Sequence, residues 1–295
     1  MRLTARVPAT VANLGPGFDA FGLALSLFNE IEVDTEGEPG VVVQGEGADE
    51  LPRDDHNLVV RAMRAFAAEA GRDLPPFALR CANAIPLERG LGSSAAAAVG
   101  GLLLADHLLG VSVDRIEILR VAAELEGHAD NAAAALSGGL AVAYVGDDER
   151  WRAERVETSS ELRPVVLVPE GERVSTNAAR RALPEDVSLQ DAVFNASRAA
   201  LLVLGLTGRP DLLGVALEDH VHQAARLALA PAAAELFDRL RDDGVPVCVA
   251  GSGPTLLAFE TGQASVPDPG EGWRVLRLEV AAEGATLLEH RHADR

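Results

Sequence analysis

The chain has 295 residues, 48% hydrophobic and 24% charged, which is enough to bury a large core in one big domain or two ordinary ones and excludes a disordered protein. Its 45 acidic residues against 26 basic ones give a formal charge of −19, which excludes a general affinity for nucleic acid or anionic membrane and leaves any anionic ligand dependent on a local basic pocket. All 26 basic residues are Arg, and without Lys the chain carries neither the P-loop lysine, nor the protein-kinase lysine, nor a Schiff base.

Residues 2–7 alternate as a strand directly after Met1, with no apolar stretch of signal-peptide length, and 28–34 alternate again before a β-branched run at 41–44. Residues 57–70 place Leu58, Val59, Ala62, Met63, Phe66 and Ala70 at helical spacing and stop at Gly71. A strand at 77–82 leads through Pro86 into an Ala-rich helix from about Ser93. Gly100-Gly101 and Asp106-His107 interrupt that apolar run, so it reads as a buried helix and not a membrane span. Asp114 caps a helix to about Glu126, a short helix covers 130–136, and 140–145 is a strand. Two α+β halves meet near 150–165. The second half holds a strand at 164–169, helices at 176–183, 189–206, 212–221 and 231–241, and strands at 245–250 and 255–259 around Gly251-Ser252-Gly253-Pro254. A polar Pro/Gly loop fills 261–272, where Pro267 and Pro269 oppose a helix, and His290-Arg291-His292 reads as a frayed tail. Cys81 and Cys248 lack C-x-x-C spacing and read as reduced core residues.

The sharpest chemical signal is Pro86-Leu87-Glu88-Arg89-Gly90-Leu91-Gly92-Ser93-Ser94-Ala95, where Gly-rich backbone enters a helix N-terminus. The first amides of a helix lack internal partners and favour phosphate oxygens, and the two serines add hydroxyls for phosphate or Mg²⁺. Taken alone, a glycine turn with serine N-caps explains the same residues. Glu126-Gly127-His128-Ala129-Asp130-Asn131 packs two carboxylates, an imidazole and an amide before a helix; it holds too few soft ligands for zinc but suits Mg²⁺, and on its own is equally a helix start with a satisfied histidine.

The loop resembles the ATP loop of GHMP kinases, the superfamily of galactokinase, homoserine kinase, mevalonate kinase and phosphomevalonate kinase. Two further stretches match in order, Pro8-Ala9-Thr10-Val11-Ala12-Asn13-Leu14-Gly15-Pro16-Gly17-Phe18-Asp19 and Gly251-Ser252-Gly253-Pro254-Thr255, so the likeness spans nearly the whole chain. The first of these, followed by Phe21-Gly22, is similar to the homoserine kinases within that superfamily. The resemblance implies an α+β, two-domain GHMP-kinase fold. Residues 1–158 would form a β-rich α/β domain with a left-handed βαβ-type nucleotide site, and 159–295 a trimmed ferredoxin-like domain. It also implies ATP and Mg²⁺, L-homoserine as acceptor, O-phospho-L-homoserine for threonine synthesis as product, and a cytoplasmic homodimer.

By the same resemblance Asp19 and Asn131 are catalytic, Asp19 approaching the substrate hydroxyl. Asn57, Pro86, Gly90, Leu91, Gly92, Ser93 and Ser94 would bind the nucleotide, Asn57 near adenine. Ser94 and Glu126 would bind magnesium. Asn13, Asp19, His128, Thr176, Arg180, Arg226 and Gly253 would bind the acceptor. Two-point recognition of an amino-acid carboxylate by arginine gives Arg180 and Arg226 their physical sense. This chain has Ala224-Ala225 where the family carries Pro-Tyr before the second arginine, and only Gly127 between Glu126 and His128. The alternatives are a GHMP kinase acting on mevalonate, shikimate or a similar acid, and a regulator of the same fold without turnover, from which the presence of Asp19, Ser94 and Glu126 argues away.

Overall fold

The protein is described by a computed structural model covering residues 1–262 and 264–290. The opening strand β1 (Arg2–Ala12) sinks Leu3, Ala5, Val7, Ala9 and Val11 completely, which is the period of two that a sheet face requires. It pairs antiparallel with the long β2 (Phe21–Asp34), and their register shifts between Pro8 and Ala9, where proline has no N–H to give the ladder. Both strands extend beyond their alternating segments. From Pro8 to Ala12 β1 is buried on both faces, so no polar alternation marks it.

β2 organises the first sheet. Its second half pairs with β4 (Ala78–Asn83) and its first three residues with β5 (Leu140–Val145). β3 (Gly40–Gly45) lies parallel to β4 with helix α1 (Leu58–Glu69) as the crossover, β6 (Trp151–Val156) pairs with β5, and β11 (Thr286–His290) closes the other edge against β1. The Ala/Gly-rich α2 (Ser93–Leu109) packs against α1, β1, α3 (Arg115–Glu126) and α4 (Asp130–Ser137). Its small side chains let these elements approach closely. Asn57 and Asp114 cap α1 and α3 by accepting from the Val59 and Glu117 amides, as the sequence predicts for Asp114.

The second sheet has the order β10-β7-β9-β8, all antiparallel, from β7 (Arg163–Pro169), β8 (Val247–Val249), β9 (Leu256–Glu260) and β10 (Trp273–Arg277). Numbered within this sheet the order is 4-1-3-2, with α9 (Pro231–Asp242) before the second strand: the ferredoxin-like arrangement. Among the described residues of 261–272 there is no helix, so the second crossover is trimmed as expected. Val165 and Leu167 face α9 in a core of the second half's own, whereas Val166 and Val168 join the core of the first sheet, which thus extends into the second half.

Three expectations need correction. The helix predicted at 212–221 is a short 3₁₀ turn, Pro210–Leu212, and α7 (Leu213–Ala216). It stops short because the Leu217 carbonyl accepts from Gln223 Nε2 at 3.1 Å and the His220 amide donates to Asn195 Oδ1 at 3.0 Å; the Asp219 carboxylate then accepts from the amides of His222 and Gln223, both at 2.8 Å, at the start of a new helix, α8 (Gln223–Leu227). Strands β6, β10 and β11 were not anticipated. His290 does not begin a frayed tail: it ends β11 with its Nε2 2.9 Å from Thr4 Oγ1, while Arg291 and His292 lie outside the described residues. The two remaining helices, α5 (Thr176–Arg181) and α6 (Leu189–Thr207), fall where predicted, and Cys81 and Cys248 are buried and free.

Candidate active site

The three sequence stretches converge on one cavity of about 500 Å³ between the two sheets. Its floor is the loop leading into α2. Gly90 and Gly92 have φ of 71° and 69°, a left-handed conformation that favours glycine. Neither has room for a side chain: a Cβ on Gly90 would lie 1.9 Å from the Ala250 carbonyl oxygen, and one on Gly92 2.0 Å from Thr10 Oγ1. The loop is thus pressed against both the 250–253 turn and β1, and the Thr10 amide donates to the Leu91 carbonyl at 3.0 Å. No side chain among the described residues caps α2, so its first amides face the cavity mouth at Ser93 and Ser94. The serine N-cap explanation of this motif is therefore not what the structure has.

The opposite end is built on the turn after β1. Asn13 Nδ2 donates to the Gly251 carbonyl at 3.0 Å, and Asn13 Oδ1 accepts from the Asp19 amide at 3.0 Å. Asn13 and Asp19 both have positive φ, 72° and 54°, so one buried amide holds a strained turn and with it the Asp19 carboxylate. That carboxylate receives two hydrogen bonds from Arg180, at 3.1 Å and 3.0 Å, with both side chains a little over one third exposed. Arg226 lies deeper. It is 5% exposed, donates to the Gly251 carbonyl, sits 5.4 Å from the Phe18 ring, and has no partner for Nε among the described residues. Burial pushes its pKa down to about 10, still high enough to keep it cationic at neutral pH.

Behind the turn, His222 donates from Nε2 to the Gly15 carbonyl at 2.7 Å and lies 5.2 Å from Phe18, with Nδ1 unpartnered among the described residues. Burial pushes its pKa down to about 4, the nearby Asp219 opposing the shift. On the α3–α4 side, the hydrogen bond from His128 Nδ1 to Asp130, 3.0 Å, raises the His128 pKa. Asn131 Oδ1 accepts from Thr10 Oγ1 at 2.8 Å, which ties α4 to β1.

The cavity is lined by Asn13, Asp19, Asn57, Pro86, Gly90, Leu91, Gly92, Ser93, Ser94, His128, Asn131, Thr176, Arg180 and Arg226. Two proposed site residues do not line it. Gly253 lies behind Gly251 and Ser252, which do, and Glu126 is reached through Ser94, whose hydroxyl donates to its carboxylate at 2.5 Å. Asn57 lines the wall, but its amide is committed to the Pro52 carbonyl and the Val59 amide. Sequence reasoning gave no role to Arg89, a buried arginine of the loop held on the Glu170 carbonyl, nor to Glu50, Ser252 and the Asp219–His222 pair. Arg89 and Ser252 stand inside quoted motifs, which was the available signal. In a chain of charge −19, three arginines face this one cavity, Arg89, Arg180 and Arg226.

A hydroxyl and a carboxylate in direct contact beside a phosphate-type loop are hard oxygen donors and fit Mg²⁺, which takes few protein ligands and completes its shell with water and phosphate. Among the described residues no group of three or more His, Cys, Asp and Glu side chains is placed to hold a metal, so a metal here relies on such a sparse set.

Comparison with known proteins agrees with this geometry. Residues 57–139 match the GHMP kinases N terminal domain. Homoserine kinase of Rhodococcus erythropolis is 43% identical over 297 residues, covering 95% of this chain and 94% of its own, and that of Moorella thermoacetica is 45% identical over 260 residues, covering 88% and 87%. The crystal structure of homoserine kinase from Cytophaga hutchinsonii superimposes with a TM-score of 0.83 at 27% identity over 97% of each chain. A mevalonate kinase crystal structure, 13% identical, shares the fold at a TM-score of 0.68 over 95% of this chain and 99% of its own. With relatives of this similarity spanning nearly its whole length, the chain belongs to the homoserine kinase family of the GHMP kinases.

Proposed function

We propose that the protein transfers the γ-phosphoryl group of ATP to the side-chain hydroxyl of L-homoserine, giving O-phospho-L-homoserine and ADP. The observation that carries this reading is the single cavity shared by the Gly90–Gly92 loop, the Asp19 carboxylate and two arginines suited to an amino-acid carboxylate. The loop amides cradle the phosphates, and Arg180 and Arg226 receive the acceptor's carboxylate. The acceptor's O–H bond breaks as its oxygen bonds phosphorus, the proton leaves through the Asp19 carboxylate to solvent, and the γ-phosphorus to bridging-oxygen bond breaks with its electron pair staying on ADP. Asn131 holds the α4 wall in register with β1, so that acceptor and phosphate are aligned; positioning and charge neutralisation supply most of such a rate enhancement. Mg²⁺ on Ser94 and Glu126 would neutralise the charge developing on the phosphates.

The protein acts as a cytoplasmic homodimer in this reading. No helix among the described residues is long and apolar enough to cross a membrane.

The test is ATP consumption coupled to product detection, with and without Mg²⁺, over L-homoserine, mevalonate, shikimate and galactose. Turnover selective for L-homoserine with Mg²⁺ is expected. Activity on another acceptor alone would overturn the acceptor assignment, ATP binding without any turnover would favour a regulator, and turnover unaffected by chelation would remove Mg²⁺.

A further inference from the structure

Asp19 and Arg180 have each been given a job in the reaction, yet the structure joins them to each other. Both carboxylate oxygens of Asp19 are engaged, Oδ2 by Nη1 of Arg180 and Oδ1 by Nη2. A guanidinium fork presents this pair of parallel donors to one carboxylate at a time, so an entering carboxylate that uses the same fork must take it from Asp19. The backbone does not carry Asp19 out of the contact: the Asp19 amide is fixed on Asn13 Oδ1 and its φ of 54° is set by that turn.

Three further features make the exchange feasible. The pair is partly exposed within the cavity, where an ion pair contributes little net stability and a second carboxylate replaces it without a large penalty. Arg226 makes no hydrogen bond to Asp19, its Nη1 being turned onto the Gly251 carbonyl. It nevertheless lines the same cavity, as a second positive charge beside the one that Arg180 would bring to the incoming carboxylate.

We propose, resting on the acceptor reading above, that the Arg180–Asp19 ion pair is a latch opened by the acceptor's own carboxylate, so that Asp19 receives the acceptor hydroxyl only after Arg180 has been drawn onto that carboxylate. Arg180 is then a specificity-determining residue in a sense stronger than affinity. An alcohol without a carboxylate finds Asp19 still occupied and reacts poorly even when saturating.

The latch is tested with 3-aminopropan-1-ol, which is L-homoserine without its carboxylate, as acceptor for the full-length enzyme with Mg²⁺ and ATP. Supplying the missing carboxylate separately, as acetate, is expected to raise its turnover by the wild type about tenfold and to leave that by Arg180→Gln unchanged. Arg180→Gln alone is expected to phosphorylate the amino alcohol about tenfold faster than the wild type while losing about a hundredfold in kcat/KM for L-homoserine. If acetate leaves wild-type turnover of the amino alcohol unchanged or lowers it, there is no latch, and this arm needs no variant that must fold. If Arg180→Gln loses activity on both acceptors alike, Arg180 merely supports the structure and the proposal also fails. Wild-type turnover of L-homoserine in the same assay shows separately whether the acceptor reading holds.

Discussion

At Asp19 the proposed chemistry hangs on one carboxylate held by a strained turn, and Asp19→Asn keeps the shape and the hydrogen bond from the backbone amide to Asn13 Oδ1 while removing the charge. A fall in kcat of about a hundredfold or more is expected, with a smaller change in the KM for ATP, measured by steady-state kinetics. His222 offers a pH test. Burial keeps its ring neutral down to about pH 4, against 6.5 for the ordinary side chain, so between those values the unfolded chain binds a proton that the folded one refuses. Its contribution to stability is complete above about pH 6.5 and is lost as the pH falls toward 4, up to about 3 kcal/mol in all. His128, raised by Asp130, works in the opposite direction: its stabilisation is present at low pH and lost as the pH rises through its folded value. Urea denaturation at pH 7.5 and 5.0 should therefore show a larger acid loss in the wild type than in His222→Asn, and equal losses would refute the assignment. The site was legible where its residues stand in contiguous motifs, as Asn13 and Asp19 do. The Asp219–His222 support was not, because its target, the Gly15 carbonyl, is 207 residues away and no local spacing reveals it.

Among the elements, the loop before α2 has least freedom. Gly90→Ala places a methyl group against the Ala250 carbonyl and forces an L-residue into positive φ, with an expected loss of roughly 1–3 kcal/mol. The KM for ATP should rise about tenfold or more, since a displaced loop no longer cradles phosphate; an unchanged KM would separate the loop from the nucleotide. The start of α1 makes a contrasting case. Asn57→Ala removes the cap and should lower stability by about 1 kcal/mol in thermal melts, whereas Asn57→Asp still accepts from the Val59 amide but loses the donor to the Pro52 carbonyl and should recover at most part of that loss. Elements with strong periodicity and capping residues, such as α1, α3 and α6, could be read directly from the sequence. β6 and β10 could not, because Trp151-Arg152-Ala153-Glu154-Arg155-Val156 and Trp273-Arg274-Val275-Leu276-Arg277 are half-buried, Arg-rich strands with little apolar alternation. The 212–221 helix failed for a different reason, its His220 amide and Leu217 carbonyl being captured by the Asn195 and Gln223 side chains.

For the molecule as a whole, packing crosses the expected boundary between 1–158 and 159–295, although Val165, Leu167, Phe237 and Leu256 form a second cluster within the latter. Val166, Val168, Leu202, Leu206 and Phe259 of the second half share a core with Leu3, Leu23 and Leu102 of the first. The fragment 1–158 is expected to be insoluble or to lack a cooperative melt by circular dichroism, and a monomeric, sharply melting fragment would show that the first half stands alone. The return of β11 to β1 has a consequence for synthesis. β1 leaves a ribosome well before β11, the strand that satisfies its outer edge by pairing Arg2 with His290. While the intervening residues are translated the nascent sheet presents an unpaired row of backbone amides and carbonyls, a template for wrong partners. Whatever shields that edge until β11 arrives is therefore expected to weigh on yield in the cell alongside the finished protein's stability.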